Sequence, residues 1–144
     1  MTLRLLLAIL LACFGLRANL DRAKAEPNLG KRAALALDNA ADALAKARDA
    51  YSNGQNAQVE TFAREIKESV ELAETSLHET GKNPRKDPKW FKKAEGSTRD
   101  LLRRLDGFQQ SMDASDRPML DGVKAKVQQV HDDLIEGLLE GKEK

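Results

Sequence analysis

Apolar residues alternate by three and four along four separate stretches of this chain, and each time that spacing defines one face of an α-helix. The first stripe reads Ala33, Leu37, Ala40, Leu44, Ala47 and Tyr51. The second is Val59, Ala63, Ile66, Val70, Ala73 and Leu77. Phe91, Ala94, Thr98, Leu101, Leu105, Phe108 and Met112 make the third; Leu120, Val123, Val127, Val130 and Leu134 make the fourth. The fourth then slips onto Leu138, because Gly137 occupies the expected slot. A stripe this narrow is buried only if neighbouring helices close over it. Four of them around one core predict an all-α fold, an antiparallel up-down-up-down four-helix bundle. A three-helix core with the fourth helix exchanged into a dimer satisfies the same pattern, so the expected state is a monomer or a helix-exchanged dimer.

Turn residues fall between the stripes and set the expected bounds, residues 29–53, 56–80, 88–112 and 116–140. Asn28 follows Pro27 as an N-cap, and Ser52 to Asn56 supplies a glycine stop and an asparagine restart. Thr80-Gly81 closes the second helix. Asp87-Pro88 opens the third with a capping carboxylate and a proline at the first helical position. Ser115 or Asp116 caps the fourth, where Pro118 is tolerable in the first turn. Gly141 precedes a charged tail.

The N-terminus departs from this plan. A basic start, MTLR, leads into an apolar run from Leu5 to Leu16. That run is too short to span a bilayer, which takes about 20 residues, and suits the central part of a secretory signal. Ala23 and Ala25 offer the small residues that signal peptidase needs, with Ala18 a poorer alternative. Residues 1–25 are therefore expected to be a signal peptide cut after Ala25, leaving residues 26–144 as one domain. A rival reading takes Leu10-Leu11-Ala12-Cys13 as a bacterial lipobox with Cys13 acylated. Of the 24 basic and 23 acidic residues, four and one fall before residue 26. The remainder is then slightly acidic, with no global field to hold nucleic acid. Cys13 is the single cysteine, so the processed chain can form neither a disulfide nor a thiolate metal site.

Little in the sequence carries catalytic chemistry. No Cys-x-x-Cys-His binds haem covalently, and no Glu-x-x-His pair builds a di-iron centre. The only histidines are His78 and His131. His78 closes the second helix, where a solvated imidazole suits the helix dipole; His131 flanks the Val130 seam. The expectation is no enzyme, no metal and no cofactor, with a metal- or haem-binding bundle through His78 and His131 as the alternative.

Charge offers more. The second helix is mostly acidic, whereas Lys82 to Arg104 holds nine basic residues against Asp87, Glu95 and Asp100. This contrast favours pairing of the second helix with the third. The densest basic run surrounds the only tryptophan: Lys82, Arg85, Lys86, Lys89, Trp90, Lys92 and Lys93. Pro84 and Pro88 bar helix there, so the stretch is a corner, with Trp90 as an aromatic lid over the end of the core. The same residues form the candidate partner-binding surface, since a basic loop around an aromatic is also what an interface anchor looks like. The predicted function is an exported, periplasmic or secreted, non-enzymatic interaction or structural module of the bacterial cell envelope, with an unspecified protein partner. Membrane-surface association through residues 82–93 is the weaker alternative.

Overall fold

The computed structural model describes residues 19–140; the apolar run, the lipobox and the charged tail lie outside them. The described residues are helical and contain no strand. A short helix, α1, covers residues 19–25. It is followed by α2 (Leu29–Ser52), α3 (Asn56–Glu79), α4 (Lys89–Ser111) and α5 (Asp121–Glu140), with a 3-10 turn, Arg117–Leu120, before α5.

The ends follow local chemistry. Asn28 caps α2, its side-chain oxygen accepting from the Lys31 N–H at 2.9 Å. Gly54 ends that helix with φ +70°, and the Gln55 N–H reaches back to the Ala50 carbonyl at 2.9 Å, so the left-handed residue lets late carbonyls be satisfied. Gly81, at φ +64°, ends α3 in the same conformation, but there the Lys82 N–H goes to the Thr80 hydroxyl. Two caps differ from expectation. Pro88, without a side-chain cap, precedes α4, and the Asp87 carboxylate instead pairs with Lys82 at 2.8 Å. Asp116 gives no cap to the 3-10 turn, because its carboxylate accepts from the Tyr51 hydroxyl at 2.9 Å.

Every position of the four stripes is buried except Tyr51, which is half-buried. Each of α2 and α3 buries a second row that the stripes omit. Ala36, Ala43 and Ala50 stand on α2; Phe62, Ser69 and Ser76 stand on α3. The Arg32–Glu79 pair and the Asn39–Ser69 hydrogen bond set an antiparallel register that puts these rows level with one another. All of these but Phe62 are small and let the two backbones approach closely.

Helix α2 packs along α3 and α4, and α5 along α4 and α3, whereas α3 and α4 barely touch. Gly30 meets Trp90 at one end and Tyr51 meets Phe108 at the other, so α2 and α4 lie side by side in the same direction. The connection from α3 to α4, residues 80–88, therefore crosses the end of the bundle. This corrects the expected charge pairing of acidic α3 with basic α4. Glu74 instead receives Lys126 of α5 at 2.6 Å, and Glu79 faces Arg32 of α2. Exposed ion pairs are worth about 0–1 kcal/mol each, too little to choose a helix neighbour against the burial of apolar stripes.

Candidate functional site

The crossing segment is held from three sides. Within it, the Asn83 carbonyl accepts from the Lys86 and Asp87 N–H groups, and the Asn83 side chain accepts from the Arg85 N–H at 2.9 Å. On the second side Pro84 sits against Gly137 of α5, where a Cβ would stand only 3.2 Å from the proline ring. On the third, the Trp90 ring lies on the backbone of Gly30 in the first turn of α2. A Cβ on Gly30 would fall 2.3 Å from both Cδ1 and Nε1 of the indole. Phe91 beside it is buried in the core.

Trp90 is half-buried and serves as a platform as well as a plug. The Lys89 Nζ lies 4.8 Å and the Lys93 Nζ 5.8 Å from the ring centroid, both within cation–π range. Lys82, Arg85, Lys86, Lys89, Lys92 and Lys93 are all exposed, and Trp90 is the hub they surround. Lys82 is paired with Asp87. The other five form no ion pair among the described residues. All seven predicted residues thus occupy one end of the bundle, together with the starts of α2 and α4 and the close of α5.

The two histidines are not brought together. His78 is exposed in the last turn of α3. His131 is buried between α5 and α4, its Nδ1 3.0 Å from the Thr98 hydroxyl and its Nε2 4.0 Å from Glu95. Thr98 also lies 3.0 Å from the Ala94 and Glu95 carbonyls. Thr98 has one proton for these three neighbours; when a carbonyl takes it, His131 Nδ1–H donates to the hydroxyl. The sequence reading of His131 as a flanking residue missed this buried contact; its signal was Thr98, a polar side chain on an apolar stripe. His78 and Met119 lie at opposite ends of the bundle, because the α4–α5 turn is at the far end from the α3 terminus. No group of three or more His, Cys, Asp or Glu among the described residues is placed to hold a metal, and no described helix is long and apolar enough to cross a membrane.

Two other polar groups stand out. At the far end, Tyr51 accepts from the Asp113 N–H at 2.9 Å and donates to Asp116. The first of these bonds lowers the phenol's pKa, but desolvation and the Asp116 and Asp113 carboxylates outweigh it and push the pKa up. Nearer the middle, Asn39 is buried on α2, its Nδ2 donating to Ser69 Oγ at 2.8 Å, while its Oδ1 has no partner. The sequence hint was an asparagine embedded among alanines. Neither group lines a cavity of cofactor size: the hollows beside α2 measure about 140 and 150 Å³, against about 300–1,000 Å³ for a typical ligand pocket.

Comparison with family models, curated proteins and solved structures returns no match to this chain.

Proposed function

We propose that this chain is an exported, non-enzymatic protein acting as an interaction or structural module of the bacterial cell envelope. Its four stripe-bearing helices alternate in direction along the chain and close one core, and the basic corner is the face offered to a protein partner. The observation that carries this reading is a cluster of five cations without acidic partners among the described residues, two on the crossing segment and three at the start of α4, at a corner pinned by Gly30, Gly137 and its own turn. Cations held in place lose little freedom on binding, which is where preorganised contacts gain affinity. The partner that fits is a protein surface rich in Asp and Glu.

Charge reversal tests it. With Arg85, Lys86 and Lys92 all changed to Glu, capture of the partner from native envelopes should fall at least tenfold, and the parent's capture should weaken as salt rises. Capture by the triple variant equal to the parent's would remove the corner from consideration. A second reading, adsorption to an anionic membrane, has its own support in Leu139, 72% exposed near the same end. Co-sedimentation with anionic vesicles at low and high salt separates the two.

Export carries a prediction of its own. Protein recovered from its native host should have the intact mass of a chain starting at Glu26. A retained Met1, or lipid on Cys13, would reject this processing.

A further inference from the structure

Helix α1 lies against α2 on the side where Asn39 reaches across to α3. Leu20 is 3% and Ala23 0% exposed, so both side chains are seated, although the helix is only two turns long. Asn19, Arg22 and Ala23 share a hollow of about 150 Å³ with Leu35, Asp38, Asn39 and Asp42 of α2. Asp38 and Asp42 are exposed on its rim, and the helix lying in it brings the cation of Arg22. Yet the fit is incomplete. Asn39 Oδ1, on a residue 3% exposed, receives no hydrogen bond from Asn19 or Arg22 of the same hollow, and Ala23 there has nothing to donate. A buried acceptor left unmatched favours any occupant that supplies a donor.

We infer that this groove on α2 is a docking site for a basic amphipathic helix of a partner protein, for which α1 is a stand-in. The occupant places a large aliphatic residue where Leu20 sits and a small hydroxyl residue, serine or threonine, three positions on. That hydroxyl donates to Asn39 Oδ1. A cation between them, at the Arg22 position, faces Asp38 and Asp42. This surface is distinct from the Trp90 corner and does not depend on it. Cutting after Ala25 would vacate the groove; in the uncut chain a better-matched helix displaces α1.

The test uses the full chain, its Leu20→Asp variant, which ejects α1, and fluorescein-labelled alanine–lysine helices carrying the sequence of residues 19–25. By anisotropy, the peptide should bind the Leu20→Asp chain at least tenfold more tightly than the parent. Adding Ala23→Ser to the peptide should tighten binding further, about threefold or more, and placing Leu20→Asp in the peptide should abolish it. Equal binding to both chains, or binding indifferent to the peptide's own Leu20→Asp, would overturn the inference and leave only charge attraction. Should the chain variant lose its fold, the parent still decides. Excess Ala23→Ser peptide must speed hydrogen exchange at residues 20–25 and slow it at Asn39; no change at either place refutes docking. Intact mass of the native protein judges the export reading separately, so failure of one is not failure of the other.

Discussion

Phe108→Ala should lower the stability of the folded chain by about 3–5 kcal/mol, read as an earlier urea midpoint with an unchanged slope. The ring is 2% exposed and among the largest fully buried side chains. It meets Tyr51 edge-on, with centroids 5.9 Å apart and planes at 74°, a favoured aromatic geometry. Tyr51 is in turn tied by its hydroxyl to Asp113 and Asp116. One ring therefore joins the end of α2 to the α4–α5 corner, and truncating it removes apolar burial, opens a cavity and frees Tyr51 together. Lys92, exposed on the same helix, offers the contrast: Lys92→Ala should stay within about 0.5 kcal/mol. A Phe108 loss no larger than the Lys92 one would mean that the third stripe does not face the core.

The second large effect comes from adding a single methyl group. Gly30→Ala should cost about 1–3 kcal/mol, because the new Cβ would lie 2.3 Å from the Trp90 ring and the indole must leave its seat. Emission from Trp90, the only tryptophan, should shift to the red and become easily quenched. The decisive measurement is the double-mutant cycle. Once Trp90→Ala has cleared the space, Gly30→Ala should become neutral or stabilising, since alanine is the better helix former by about 1 kcal/mol. Losses that simply add would show that ring and glycine do not meet. A seated Trp90 also positions the amines of Lys89 and Lys93, so the cycle tests the architecture of the basic corner as well as its stability.

Much of the fold was legible because stripes at helical spacing leave a chain few ways to bury them. The helix bounds agree with the turn residues to within a residue, apart from the last, where Pro118 turns the start into a 3-10 segment. The order of the helices around the core was harder to read. A stripe says that a face is buried but not which neighbour buries it, and the acidic α3 beside the basic Lys82–Arg104 run suggested a pairing that packing overrides. The second row on α2 was hidden by its own composition. Ala36, Ala43 and Ala50 read as helix formers on any face, and only the closeness of α3 makes them core. The corner residues were identified from composition and proline placement, but nothing in the sequence pointed to Gly30, some 60 positions away, as the seat of Trp90. Asn39 and α1 were missed for a related reason: the hydrophobicity and small residues that suggest a cleavage site also suit a helix that packs.

Because residues 80–88 cross the bundle end instead of turning back beside α3, the order in which the molecule assembles is constrained. The α2–α3 hairpin joins neighbours through a short turn and closes at little entropic cost. Seating Trp90 on Gly30, and Pro84 on Gly137, requires contacts more than 50 residues apart in the chain, which form slowly and late. The basic corner therefore waits on long-range closure, as does the Tyr51–Asp116 tie at the opposite end, 65 residues apart. A chain interrupted before α5 docks lacks the Pro84–Gly137 contact, so the crossing segment is held from every side only once α5 has closed the core.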